Sequence, residues 1–502
     1  MNKENNGKSS LRVLLIDPIT HYSDQMNLGL VYLGSFIESK GYPVRIVDMN
    51  FRKYDAYKRL DEALLEFKPD VIGVSIISYF AFPEVRKLLK ELRSRTKSRL
   101  VAGGSSPSMF PERMLTENAE LDFLIFGEGE NTFSELLLAL SSGSADLSGI
   151  KGLAYRKDGK VILNGKRPLV SDLDSLPMLN FELVDLVVKY GFSFYKDTYI
   201  MATSRGCPYA CSFCLSNVLC GRSWKYFSPQ RVVDEIEVAY KKYGLRRVSF
   251  QDDNFIMQPQ RVVEICRQIR ERGLKIKLWL DGGIRADRLT AEALRELCLS
   301  GLELGVLAVE SGSPEVFEMI GKGETLPEVI SALEMLKAAN IELHIFMILG
   351  LPGDTHERFL QSLELARKYK VKCRWHFAFP FENTRMHDYV KQNGRFLRDV
   401  SGYDVDVVTG NRITSPGTMP LAFDTPDYPA KQRIADYYYA VIDSGAFFNI
   451  FAVRYKNNLL RFLRCSYIVL RYNPARFAVY LSWAGKTATY KLMGLLRMKS
   501  KK

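Results

Sequence analysis

The chain has 502 residues, 47% of them hydrophobic and 25% charged. At roughly 150 residues per domain this predicts about three globular domains and excludes a mostly disordered chain, a collagen-like repeat and a disulfide miniprotein. The net charge of +13 is uneven: twelve Lys and Arg and no acid lie in the last 58 residues, so the main body is near neutral and general nucleic-acid affinity is not indicated.

In chain order, Leu11 to Asp17 is an apolar run of strand length, Leu28 to Ser39 has helical spacing and stops at Lys40-Gly41, and Val44 to Val47 is strand-like. Further helices are predicted over 60–67, 84–95, 112–117 and 133–140, and strands over 71–77, 100–102 and 123–126. Alternating strands and helices with short connections predict a parallel sheet wrapped on both faces. Such sheets bind ligands beyond their C-terminal strand ends. Those ends read Asp17-Pro18, Ser75 to Ser78, Gly103-Gly104-Ser105-Ser106 and Gly127-Glu128-Gly129-Glu130. Glycines admit a ligand to the backbone and serines offer hydroxyls, although the same residues also serve as ordinary turns. With no GxGxxG after the first strand, a dinucleotide site is disfavoured.

Leu153 to Leu163 reads as a hairpin turning at Asp158-Gly159, and Leu173 to Pro177 as a linker. A second repeating unit follows. Its strands are predicted over 199–203, 247–251, 277–281, 304–309, 343–348 and 373–378, with helices over 229–243, 260–272, 291–300, 327–339 and 355–369 between them. Six βα units predict a barrel or partial barrel with its active site at the C-terminal strand ends.

Three of the eight cysteines, Cys207, Cys211 and Cys214, fall within eight residues directly after the first strand of that unit. Three thiolates from one loop can hold three irons of a cubane and leave the fourth iron open, which suits a cluster that does chemistry rather than electron transfer alone. A structural zinc site completed by Cys220 or a histidine is the other metal reading, but zinc sites more often pair two short ligand hairpins, and no second pair is present.

Thr203-Ser204-Arg205-Gly206-Cys207-Pro208-Tyr209-Ala210-Cys211-Ser212-Phe213-Cys214 resembles the cluster loop of the radical S-adenosylmethionine (SAM) superfamily. Gln251 to Phe255, Val309 to Gly312 and Gly350 to Thr355 agree with its later strand ends. Leu28 to Leu33, Gly103-Gly104 and Gly127 to Phe133 resemble the cobalamin-binding domain fused to this barrel in the cobalamin-dependent subgroup, so the resemblance covers roughly residues 11 to 385. It implies an α/β fold: a Rossmann-like, doubly wound cobalamin domain (1–145), a linker with the hairpin (146–192), a partial (β/α)6 TIM-like radical SAM barrel (193–395), and a mainly α-helical C-terminal region (396–502). The Asp-x-His-x-x-Gly motif that places a histidine on cobalt elsewhere is absent, and His21 is read as an ordinary loop residue.

The resemblance implies a 4Fe-4S cluster on Cys207, Cys211 and Cys214, with SAM and cobalamin as further cofactors. Asp252 or Asp253 is expected to accept from the methionine ammonium, Arg285 to pair with its carboxylate and Glu310 to bond the ribose or amino group. Each has an ordinary alternative as a strand-end ion pair. Phe213 is expected against the adenine side of the loop, and Ser75, Ser78, Gly103, Gly104, Ser105, Gly127 and Glu128 along the cobalamin cleft. The implied reaction is radical methylation of an unactivated carbon in a small molecule or lipid, with a reductant such as flavodoxin or ferredoxin. Radical cyclisation without methyl transfer is the alternative, and the intact cluster loop argues against a non-catalytic cobalamin sensor.

No apolar run reaches the roughly 18 residues that span a bilayer, and the polar start MNKENNGKSSLR lacks a signal-peptide core, so a cytoplasmic location is expected. Within residues 445–502, Phe447 to Phe451, Leu459 to Leu463 and Tyr467 to Leu470 alternate with Arg and Lys. That is the make-up of basic amphipathic helices, which lie on an anionic membrane face or, alternatively, cap the barrel with a solvated basic side.

Overall fold

The computed structural model describes residues 11–19, 26–50, 55–77, 82–185, 187, 198–397, 421–444, 466–472, 474, 477 and 481. Ser78, His21 and most of the basic tail lie outside the described residues.

The first half alternates β1 (Val13–Asp17), α1 (Leu28–Ser39), β2 (Val44–Asp48), α2 (Ala56–Phe67), β3 (Val71–Ser75), α3 (Phe82–Arg95), β4 (Arg99–Gly103), α4 (Ser105–Met109), α5 (Pro111–Glu117), β5 (Phe123–Ile125) and α6 (Glu130–Ser142). β1 and β3 are buried along their whole length, as strands covered on both faces must be. Asn27 begins α1 by accepting from Leu30 N, and Gly143 ends α6 in the left-handed region. The parallel order β2-β1-β3-β4-β5 continues antiparallel into β6 (Leu153–Lys157) and β7 (Lys160–Leu163), giving seven strands. The hairpin expected in the linker therefore completes this sheet.

The barrel strands are β8 (Thr198–Met201), β11 (Arg247–Phe250), β12 (Lys277–Ile284), β13 (Leu302–Glu310), β14 (Glu342–Leu349) and β15 (Lys372–Phe377). They pair in parallel in the order β8-β11-β12-β13-β14-β15, an open sheet. After β8 a short ladder joins β9 (Ser204–Arg205) to β10 (Lys225–Tyr226), with α7 (Ser216–Cys220) between them. The covering helices are α8 (Pro229–Tyr243), α9 (Pro259–Glu271), α10 (Ala291–Leu299), α11 (Pro314–Met319), α12 (Leu326–Ala338) and α13 (His356–Tyr369). All six strands and five helices match the expected segments to within a few residues at each end.

One apolar core runs through both halves. Val13, Leu15 and Leu30 of the first sheet share it with Tyr199, Phe227 and Ile236 of the barrel. The linker is the wedge between them: Phe181 stands edge-on to Tyr199 and Tyr243, at 5.5 and 5.9 Å, and Arg231 donates to the carbonyls of Leu176 and Pro177, both at 2.7 Å.

Beyond α14 (Arg385–Asn393), a two-stranded ladder of β16 (Arg395–Phe396) and β17 (Phe423–Asp424) leads to α15 (Ala430–Asp443), the described part of the expected helical region. This helix closes over β15: Tyr437 stacks on Phe377 at 4.6 Å. Its Arg433, 1% exposed, lies flat against Gly350, where a Cβ would meet the guanidinium at 2.5 Å. Gly350 is also at φ +83°. Gly350→Ala should therefore expel Arg433 and destabilise the fold by about 2–4 kcal/mol, read as a lower midpoint in urea, whereas Gly165→Ala, in open space, should not.

Candidate functional site

The cysteine loop leaves the C-terminal end of β8 and is held at its root by one carboxylate. Asp252 accepts from Thr203 N (3.0 Å to each oxygen), Thr203 Oγ1 (2.7 Å) and Ser204 Oγ (2.6 Å), and is 2% exposed. Asp252, expected with Asp253 as a candidate acceptor for the methionine ammonium, is thus bound to the loop mainly through Oδ1. Its neighbour Asp253 is exposed, accepts from Ser216 Oγ at 3.0 Å, and is close enough to raise the thiol pKa values of Cys207 and Cys214. Arg261 donates to Thr203 O and Phe227 O at 2.9 and 3.0 Å. Gly206, at φ +78°, passes so near Ser223 O that a Cβ would sit 2.4 Å away. Farther along, Ser212 N donates to Ile320 O (2.8 Å), Met386 N to Ser212 O (3.0 Å), and Arg385 to Ala210 O.

Burial pushes the Cys211 and Cys214 thiols up to about 11 and about 12, and raises Cys207 as well. Each feels the charge of at least one other member of the set or of the acids beside it, while Lys322 and Arg285 draw Cys211 back down. A bound cation is what would bring such thiols to the thiolate form at neutral pH. Among the described residues no three His, Cys, Asp or Glu side chains close on a single ion; a cubane takes each thiolate on a different iron. Phe213 is half-buried and packs on the barrel core. Cys220 lies beside the loop, 3.2 Å from where a Gly206 Cβ would be.

Beneath the loop lies a buried charge network that sequence reasoning found only in part. Lys322 Nζ is 2.6 Å from Glu324 and 3.9 Å from Glu310, and also meets Ala308 O. Arg285 holds Asp287 (2.9 Å) and Lys322 O (3.0 Å), lies 3.4 Å from the centroid of the Tyr209 ring, and approaches Glu324 at 3.5 Å, while its Nη2 has no hydrogen-bond partner. Glu310 adopts φ +70°, unusual for a residue with a Cβ, and burial raises its pKa against the pull of Lys322. Lys322 and Glu324 were missed. Their signal was Gly321-Lys322-Gly323-Glu324, two charges alternating with two glycines that both take positive φ.

The strand ends of the first sheet form the other half of the site. The order β2-β1-β3 puts a crevice between β1 and β3. There Asn27 Nδ2 donates to Asp17 (2.8 Å) and to Ser75 Oγ (3.0 Å). Gly104, at φ +118°, lets the chain pass Ile76, whose carbonyl oxygen would be 2.7 Å from a Cβ. Ser105 Oγ donates to Ile77 O (2.5 Å), Ser108 Oγ to Gly104 O (2.7 Å) and Gly127 N to Ser108 Oγ (2.9 Å), so the ends of β3, β4 and β5, including Gly103, form one rim.

Glu128, expected along the cobalamin cleft, has protein partners of its own. It pairs with Arg205 at 3.0 Å and accepts from Val170 N at 2.5 Å, while Glu130 pairs with the same arginine at 2.7 Å. Arg205, two residues before the first cysteine, thus joins the cysteine loop to the rim. Tyr32 reinforces the joint, donating to Ala202 O at 3.1 Å and stacking on Phe227 at 6.0 Å. α4 packs against α7, so the rim and the cysteine loop face each other.

A B12 binding domain model matches residues 18–137 and a radical SAM superfamily model residues 201–366. An uncharacterised methyltransferase of Pyrococcus horikoshii is 30% identical over 375 residues, 74% of this chain and 79% of that protein. The chain belongs to the cobalamin-dependent radical SAM enzymes. It is methyltransferase-like within that class, with a 4Fe-4S cluster, SAM and cobalamin as cofactors. An anaerobic magnesium-protoporphyrin IX monomethyl ester cyclase of Synechocystis is 28% identical over 62% of each chain. The structure of the radical SAM methyltransferase TsrM of Kitasatospora setae, with cobalamin and a 4Fe-4S cluster bound, superposes with a TM-score of 0.68 at 19% identity, covering 87% of this chain and 89% of that one. The residues of this radical SAM enzyme fit both groups: three thiols that feel one another's charge share one glycine-relieved loop, and a rim whose Gly104 admits no side chain faces them.

Under the rim lies a pair of buried acids. Asp17 accepts from Asn27 and Asn50, and burial raises it to about 6; Asp48 is raised to about 7 by burial and by Asp17, and its Oδ2 has no hydrogen-bond partner. The folded chain therefore holds protons that the unfolded chain, with ordinary values near 3.8, has already released. Stability contributed at low pH is lost as pH rises from about 4 to about 7. Asp48→Asn should flatten that decline and stabilise the protein above neutrality by about 1–3 kcal/mol, measured by chemical denaturation across a pH series.

Proposed function

We propose that the protein is a C-methyltransferase acting on an unactivated carbon of a small-molecule or lipid substrate. The observation that carries this reading is the Arg205 joint, which sets the cysteine loop against the strand-end rim. When bound, the cluster with SAM supplies a radical able to take hydrogen from carbon, and cobalamin supplies the methyl group.

In this reading Cys207, Cys211 and Cys214 each hold one iron. Asp253, the accessible member of the acidic pair, takes the methionine ammonium. Arg285, whose Nη2 has only a long 3.5 Å contact to Glu324, meets the methionine carboxylate. Glu310 bonds the ribose or amino group from its strained strand end, and Phe213 packs on the adenine side. Ser75, Gly103, Gly104, Ser105 and Gly127 receive the corrin, and the apolar core shared by the two halves keeps water out from behind. Cyclisation is the second reading, favoured by the similarity to the cyclase; it differs in yielding no methylated product.

Replacing Cys207, Cys211 or Cys214 by Ala should remove the visible absorbance of the reconstituted cluster and abolish 5′-deoxyadenosine formation, while Cys220→Ala should keep both. Gly104→Val should block cobalamin uptake and leave iron content unchanged. Anaerobic enzyme mixed with a cell extract should give one compound heavier by a methylene, together with 5′-deoxyadenosine and S-adenosylhomocysteine. Cyclisation would give 5′-deoxyadenosine without the methylene gain.

We further propose a reductant of the flavodoxin or ferredoxin kind, no nucleic-acid partner, and a cytoplasmic enzyme held peripherally on an anionic membrane face by residues 445–502. Support comes from the tail's twelve basic residues interleaved with aromatic and aliphatic ones. Among the described residues no helix is long and apolar enough to cross a membrane. Full-length protein should sediment with anionic liposomes at low salt and be released at high salt, and a chain ending at Ser444 should stay in the supernatant.

A further inference from the structure

Along β14 and β15 the side chains alternate between two environments. Trp375 and Phe377 turn outward, onto Phe359 of α13 (5.7 Å) and Tyr437 of α15 (4.6 Å). His376, between them, must point into the barrel, where it is half-buried. Arg374, one inward position below, is already engaged: it holds Asp281 of β12 at 2.7 Å and donates to His344 at 3.0 Å. His376 has a ring contact with Phe346 at 5.9 Å and, among the described residues, no hydrogen-bond partner.

Its height in the barrel is set by register. His376 lies beside Ile348, and Met347, one residue earlier, lies beside Glu310. The imidazole is therefore level with the strained end of β13, at the mouth. Its strand is the sheet edge opposite β8, whose loop carries the cysteines. The charge network around Lys322 and Arg285 follows β12 and β13, leaving the β15 wall to whatever enters the mouth from the other side. Burial and the charge of Arg374 push the imidazole down to about 4, so it is neutral near pH 7, with one donor and one acceptor nitrogen. A cationic group would be disfavoured there, because Arg374 lies directly beneath.

We infer that His376 is a specificity-determining residue that hydrogen-bonds an uncharged hydroxyl, amide or ring N–H group of the substrate, whose planar or apolar body lies on Phe346. The inference rests on the proposed entry of substrate into the barrel mouth and deepens that reading.

The test uses the reconstituted full-length enzyme and, as probe, the extract compound isolated by its gain of one methylene. His376→Ala should raise KM for that compound about tenfold, with a smaller change in kcat. His376→Asn, which keeps a donor and an acceptor, should recover much of the loss. Iron and cobalamin contents report folding; if the Ala variant loses them, His376→Met, closer in volume, takes its place. An unchanged KM in the folded Ala or Met variant overturns the assignment, as does an Asn variant no better than Ala. If the wild-type enzyme yields no methylene gain, yet one extract compound stimulates 5′-deoxyadenosine formation, the methylation reading fails by itself. His376 is then judged by the same variants on the concentration dependence of that stimulation.

Discussion

A single arginine carries the geometry on which both halves of the site depend. Arg205 belongs by sequence to the cysteine loop and by its ion pairs to the first sheet, through Glu128 and Glu130. Two carboxylates on one guanidinium, with the Tyr32 ring 5.4 Å away, leave little freedom for the loop root. Asp252 fixes the two residues before it. The loop is thus gripped from the barrel side by a buried carboxylate and from the other side by a pair of acids at a helix start. Its cysteines are placed by those contacts before any iron arrives.

The surroundings of the loop follow an electrostatic logic. Thiols raised by burial sit above Lys322 and Arg285, cations that favour any anionic group placed between. Those cations are in turn balanced by Glu310, Glu324 and Asp287, which keeps a buried positive charge from standing alone. The network's loosest contacts are the 3.5 Å approach of Arg285 Nη2 to Glu324 and the 3.9 Å separation of Glu310 from Lys322.

Much of this was legible in the residues. β1 and β3 declare themselves as unbroken apolar runs, and α1 by its spacing and its stop at Lys40-Gly41. The cysteine spacing named the chemistry directly. What the sequence hid was partnership. Nothing in Asp252-Asp253 says that the first acid is engaged by Thr203, forty-nine positions away, while the second stays exposed with Ser216 as its partner. Glu128 looks like a strand-end ligand because Gly127 and Gly129 flank it, and only the folded chain reveals Arg205 as its partner. The hairpin at 153–163 was recognised by its Asp-Gly turn, but a turn does not say which sheet its strands will join.

The continuous core has a consequence for how such an enzyme unfolds. Its two halves are separate folds by topology, yet Tyr32, Phe181, Tyr199 and Phe227 seal them as one solvent-excluded body. Separating the halves would expose both sides of a hydrophobic seam to water. β15, at the edge of the barrel sheet opposite β8, lies away from that seam. A substitution that loosens this seam should therefore lower the stability of both halves together, in a single unfolding transition.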